Sequence, residues 1–81
     1  MRVSIHSIQS TLFNGEAEKL IVRTPEGQIT VLDNHLPIVA AVNGPMIKVV
    51  EKSGEEHSIN IISGILEVRP QSDVVVIADA T

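Results

Sequence analysis

The side chains that could do chemistry are few and widely spaced. The three histidines, His6, His35 and His57, form neither an HxH nor an HxxxH pair. No His, Asp or Glu pair has the spacing of a metal-binding motif, so no metal ligands are assigned. Serines are plentiful, but a nucleophile needs a sharp turn that exposes it, and G-x-S-x-G is missing. The nearest string, ISGIL at residues 62–66, lacks both outer glycines and sits in a strand pattern. The five glycines are isolated and none opens a helical pattern, which leaves no loop to cradle a phosphate and no cofactor site. Cysteine is absent, excluding a thiolate nucleophile, a thiolate zinc site and a disulfide. Glu55 and Glu56 follow Ser53–Gly54 and read as a solvated hairpin tip. What remains is Asp33–Asn34–His35, a polar triplet between two apolar runs and just before Pro37. Asn34 tolerates left-handed backbone, Asp33 can cap the turn, and Leu36 must be extended because proline follows it. The triplet is a tight surface turn suited to recognition and unsuited to catalysis.

The elements around it are strands. Eleven valines and eleven isoleucines carry the apolar content, and Phe13 is the one aromatic residue. β-Branched side chains are stiff at χ1 and pack well on a pleated surface. Short apolar runs separated by turn residues place strands near 3–8, 11–15, 18–23, 28–32, 38–42, 46–51, 57–62, 64–69 and 73–78. Turns are expected at Asn14–Gly15, Pro25–Gly27, Asn43–Pro45, Ser53–Gly54 and Arg69–Asp73. All pairings are expected to be antiparallel, since a parallel pair needs a crossover of a dozen or more residues. The 81 residues make one domain, read as an all-β sandwich or barrel.

Composition also excludes partners. The net charge of −4, six scattered basic residues and the lack of stacking aromatics argue against nucleic acid. The N-terminus has no long apolar core after its one basic residue, so it is no secretory signal. No run reaches the roughly 18 apolar residues of a membrane-spanning helix.

Alternation exposes one anomaly. Leu20 and Val22 share a face opposite Lys19 and Arg23, but Val74–Ala78 is apolar throughout, and Ile61–Leu66 is broken only by Ser63 and Gly64. Two explanations fit: strong twisting or barrel closure encloses both faces, or a partner protein covers the outer one.

The string TPEGQITVLDNHLPIVAAVNGPMIKVV resembles a region of the epsilon subunit of bacterial F-type ATP synthases (delta in the mitochondrial enzyme). There a T-x-E-G-E stretch leads to an L-P-x-H-A-P-L loop, an apolar strand and a P-G turn. SGILEVRPQSDVVVIADAT is similar to the family's S-G-G-x-L-E-V…V-T-V-L-A-D ending, and STLFNGEAEKLIV to its opening. The resemblance runs in order from about Val3 to Thr81. It implies a flattened two-layer sandwich of about ten mostly antiparallel strands. It also implies a non-catalytic central-stalk rotor subunit that fastens the gamma subunit to the c-ring and couples proton (or sodium) flow to ATP synthesis. Such a subunit lies on the cytoplasmic face of the bacterial inner (plasma) membrane, touching the membrane only through the c-ring. By correspondence, Ser7, Leu12, Phe13, Ala40 and Met46 face gamma, while Gln28, Asn34 and His35 lie on loops towards the c-ring.

The departures are specific. Gln28 stands where the family often has Glu, which exchanges a charge for a neutral hydrogen-bonding group. Ile62–Ser63–Gly64 replaces S-G-G and adds bulk, and His35–Leu36–Pro37–Ile38 replaces H-A-P-L. The C-terminal helical hairpin of most bacterial members is expected to be absent, because the chain reaches Thr81 where that hairpin would begin. A competing reading from the residues alone is a free-standing β-sandwich that binds a partner through an apolar outer sheet face.

Overall fold

A computed structural model describes residues 1–80, and among these every regular element is a strand. In chain order they are β1 (Arg2–His6), β2 (Thr11–Glu16), β3 (Lys19–Thr24), β4 (Gly27–Leu32), β5 (Ile38–Val50), β6 (Glu56–Asn60), β7 (Ser63–Arg69) and β8 (Asp73–Asp79). Hydrogen bonding joins them in the order β2-β1-β8-β7-β5-β3-β4, with β6 on the second half of β5. Eight strands therefore stand where the residues alone gave nine and the resemblance about ten.

The difference lies at Asn43–Pro45, which is a corner and not a hairpin turn. The first half of β5 pairs with β7 through Asn43, and the second half pairs with β3 and with β6 from Met46. One long strand thus passes from layer β2-β1-β8-β7 into layer β6-β3-β4 and makes a sandwich of a continuous sheet. The connection from β6 to β7 turns the same corner, and the two bends are tied together. Gly44 N–H donates to the Ile62 carbonyl (2.8 Å) and Ile61 N–H to the Pro45 carbonyl (3.0 Å). A Cβ on Gly44 would run into the Ile61 carbonyl oxygen, with the Ile62 carbonyl oxygen 3.0 Å away. Only glycine lets the two backbones approach so closely.

The other expected turns divide. Pro25–Gly27 turns with Gly27 at φ 123°, Ser53–Gly54 with Gly54 at φ 94°, and Arg69–Asp73 with Gln71 and Ser72 at φ 66° and 56°. Asn14–Gly15 does not turn: both residues lie inside β2, opposite Ser4 and Val3. Ala17 instead continues the β1–β2 ladder, its N–H donating to the Met1 carbonyl (2.8 Å) and its carbonyl accepting from the Met1 amine (3.0 Å), and the chain then passes to β3 in the other layer.

The expectation of purely antiparallel pairing fails at one ladder, since β1 and β8 are parallel. The chain between them is the crossover, running through both layers, so no dedicated connecting segment is required. The remaining pairings are antiparallel.

Residues facing between the layers form the core: Val3 and Ile5 of β1, Leu20 and Val22 of β3, Val31, Val42, Ile47 and Val49, Leu66 and Val68 of β7, and Val74 and Val76 of β8. No buried residue among those described is polar or charged. Stability therefore rests on aliphatic packing, which contributes about 1.5–3 kcal/mol for each fully buried Val, Leu or Ile.

Candidate functional site

The pleat resolves the anomaly of the all-apolar strands. Val74, Val76 and Ala78 point inward, which sends Val75 and Ile77 outward. Register then extends this outer row across the layer: Ala41 lies beside Ile65, Ile65 beside Ile77, and Ile77 beside His6. The next row is Val39, Glu67, Val75 and Ser4. Barrel closure does not enclose this face. Val39 is 72%, Ile65 51% and Ile77 53% exposed, and Ile8, at 98%, lines a groove with Ser63 and Ile77. At one end Arg69 pairs with Glu67 (3.1 Å) and Asp73 (3.7 Å), giving the apolar rows a charged margin. An apolar centre with a polar rim is the anatomy of a protein-binding surface. The outer face of the other layer is more polar: Ile21 and Met46 stand among Arg23, Gln28, Thr30, Lys48 and Ser58.

The expected gamma-facing residues are not gathered on one surface. Phe13 pairs with Ile5 and therefore points inward, half-buried against the core and stacked obliquely on His57 with ring centroids 5.3 Å apart. Ala40 pairs with buried Leu66 and also faces inward. Leu12 sits at the irregularity between β1 and β2 and packs against the core. Met46 is on the other layer, paired with Asn60. Ser7 organises the β1–β2 turn, where its hydroxyl oxygen accepts from the N–H groups of Gln9 (3.2 Å) and Ser10 (3.1 Å).

Asp33–Asn34–His35 is a tight turn. His35 N–H donates to the Leu32 carbonyl (3.1 Å), and Asn34 takes φ 62°. The turn is fastened to the β7–β8 turn on the far side of the molecule's end. Asn34 N–H donates to Ser72 Oγ (2.9 Å), and the Ser72 hydroxyl lies 3.1 Å from Asn34 Oδ1. His35 Nδ1 donates to the Leu36 carbonyl (2.7 Å), and since a carbonyl only accepts, this nitrogen carries a proton. The Asp33 carboxyl is held below its ordinary value of 3.8, chiefly by the Ser72 hydroxyl and then by the Met1 amine, 3.5 Å away. The single Ser72 proton is within reach of both Asn34 and Asp33, and the charged carboxylate is the stronger acceptor.

Gln28 is at the opposite end of the same strand, beside the Pro25–Gly27 turn. At about 3.3 Å per residue, β4 separates it from the Asp33–His35 turn by more than roughly 13 Å. Gln28, Asn34 and His35 can meet one partner only if it lies along the β4 edge.

The three histidines stand apart: His6 on the outer face of β1, His35 in its turn and His57 facing inward from β6. One grouping escaped the residue spacing. Glu51, Glu55 and His57 converge at the β5–β6 turn. The signal was a Glu-x-x-x-Glu-x-His string folded across Ser53–Gly54, which a search for regular helix or strand spacings passes over.

These features define an all-β interaction domain with one apolar outer face and polar turns at both ends. The chain matches the β-sandwich domain of the ATP synthase delta/epsilon chain over residues 1–81 and belongs to that family. Solved structures share the fold. A chain of the Euglena gracilis mitochondrial ATP synthase, in its OSCP/F1/c-ring assembly, superposes with a TM-score of 0.85 at 20% identity, covering 94% of this chain and 48% of its own length. A chain of the Tetrahymena thermophila mitochondrial ATP synthase central stalk/c-ring gives a TM-score of 0.80 at 10% identity, covering 96% and 62%. This chain thus spans roughly half to three-fifths of the chains it resembles.

Proposed function

We propose that this domain belongs to a rotor subunit of an F-type ATP synthase, fastening the gamma subunit to the c-ring so that ion flow drives rotation of the central stalk. Its part is mechanical and non-catalytic, and it sits at the membrane surface through the c-ring, on the cytoplasmic side in a bacterium. The observation that carries this reading is the exposed Val39–Ala41–Ile65–Ile77 surface in a domain of this family. A face of that composition gains by burial against a partner.

On this reading gamma covers the β5-β7-β8-β1 face, and the c-ring meets the β4 edge with its two terminal turns. Placing the ring along that edge lets Gln28, Asn34 and His35 contact one partner from opposite ends of a strand. The gamma contacts implied for Phe13 and Ala40 then become indirect, since both side chains support the sheet from within.

The competing reading, a free-standing binding module, uses the same apolar face for a different protein. Titration of the purified domain with the gamma subunit of the same organism at micromolar concentration separates the two. A saturable one-to-one complex supports the rotor reading, and no complex at that concentration contradicts it.

A further inference from the structure

The β5–β6 turn brings together donor groups that the rotor reading leaves unused. Glu51 follows β5, Glu55 lies in the turn and His57 is the second residue of β6. One ligand atom from each lies within 4.8 Å of the other two. The backbone of the turn is closed by two hydrogen bonds, Gly54 N–H to the Glu51 carbonyl and Glu51 N–H to the Glu55 carbonyl, both 2.8 Å. The backbone positions of the two glutamates are therefore set by a short closed turn.

His57 is held independently. It pairs with Val49 on the inner side of β6, and the Phe13 ring lies against its imidazole at 5.3 Å and 52°. That packing aims Nε2 at the Glu51 carboxylate, with which it is hydrogen-bonded. The Glu55 carboxylate accepts no hydrogen bond and joins no ion pair among the described residues, although a second carboxylate is close by. Two carboxylates and one imidazole thus converge with a single hydrogen bond among them, His57 Nε2 with Glu51. Two acidic groups so close repel one another unless a cation lies between them. The groove beside them adds Glu16, Glu18 and Asp33 to Glu51, against Lys52 and the Met1 amine.

We propose that Glu51, Glu55 and His57 bind one divalent transition-metal cation, Zn2+ being the best match. Imidazole favours zinc-type ions over Mg2+ and Ca2+, which prefer all-oxygen shells, and two carboxylates with one imidazole leave a coordination position for water. The site lies at the end of the sandwich that also carries the Asp33–His35 turn, and its effect would be to fasten the β5–β6 turn. The inference does not depend on the rotor reading.

The test is titration of the purified domain with Zn2+, followed by calorimetry, melting temperature and NMR of the histidine rings. The expected result is one-to-one binding that raises Tm and shifts the His57 ring resonances while leaving those of His6 and His35 in place. His57 also packs on Phe13, so the informative variant is Glu55→Gln, which removes an exposed ligand. It should keep its metal-free Tm and bind Zn2+ at least about tenfold more weakly, since even groups outside a ligand set cost that much. No Zn2+-dependent change, unchanged binding by Glu55→Gln, equal shifts at His6 or His35, or an equal response to Mg2+ would each overturn the proposal.

Discussion

The Phe13 ring of β2 stands 5.3 Å from the His57 imidazole of β6, inclined at 52°, and so bridges the two layers at a place where no sheet hydrogen bond joins them. Phe13 pairs with buried Ile5 across the β1–β2 ladder, which fixes it on the inner side. Its large apolar surface therefore closes the open edge of the sandwich.

Phe13→Ala should consequently act on stability. Loss of a half-buried phenyl group costs about 2 kcal/mol, below the 3–5 of a fully buried one. For a domain of this size that lowers Tm by roughly 10 °C. Binding to gamma, measured well below the transition, should stay within about threefold of the parent. A thermal scan beside a binding isotherm distinguishes this from an anchoring role, in which affinity falls and Tm holds.

The corner of β5 makes a second demand. A methyl group on Gly44 meets the Ile61 carbonyl oxygen, and backbone on both sides of it is hydrogen-bonded. Gly44→Ala should destabilise the domain by more than about 2 kcal/mol in urea unfolding, in the range of strained or overpacked core substitutions. Gly15→Ala is the control. Its Cβ would lie 3.6 Å and 3.7 Å from Phe13 ring atoms, which is ordinary contact, and its stability should change by less than about 1 kcal/mol.

Asp33 gives the pH dependence. Its folded value lies below the ordinary 3.8, through the Ser72 hydroxyl first and the Met1 amine second. A depressed carboxyl contributes stability that is present above the unfolded value and is lost as pH falls through the folded one. The loss therefore falls in the acid range below the ordinary carboxylate value, not near neutrality. NMR titration of Ser72→Ala should show the Asp33 value move up towards 3.8. In Asp33→Asn the melting temperature should fall less steeply with acid.

The two terminal turns of β4 can be separated with single cysteines, since the chain has none of its own. If the β4 edge lies along the c-ring, Gln28→Cys and His35→Cys should both cross-link to c-ring loops in the assembled enzyme. Cross-linking from only one of them would mean that one end of the sandwich, not the edge, faces the ring.

Much of this architecture was legible in the residues, for reasons that also explain the failures. Val22 and Leu20 alternate with charged neighbours, so strand and face could be read together. Turns with glycine or adjacent polar residues at positive φ, such as Gly27, Gly54 and Gln71–Ser72, were visible because those residues fit that geometry. Asn14–Gly15 has the same composition but lies inside a strand, since the β1–β2 ladder runs on past it through Arg2–Glu16 and Met1–Ala17, pairings between residues far apart in sequence. The single bent strand was read as two because Gly44–Pro45 looks like a hairpin turn. Only its hydrogen bonds to Ile61 and Ile62 reveal a corner. The outer apolar face was implied by Val74–Ala78, but which residues share it depends on register across β5, β7, β8 and β1. The Glu51–Glu55–His57 grouping likewise depends on how one turn closes.

On the rotor reading the β5-β7-β8-β1 face holds the gamma subunit. The most direct test is the affinity of the purified domain for gamma when Ile65 and Ile77 are replaced together by Asp, with Ser58→Asp on the other layer as control. Both isoleucines are half-exposed and point away from the core, so the fold should survive, as circular dichroism and Tm would show. The double variant should lose at least about 3 kcal/mol of affinity, more than a hundredfold in Kd, and Ser58→Asp should change it little. A folded Ile65→Asp/Ile77→Asp domain that binds gamma as tightly as the parent would contradict that reading.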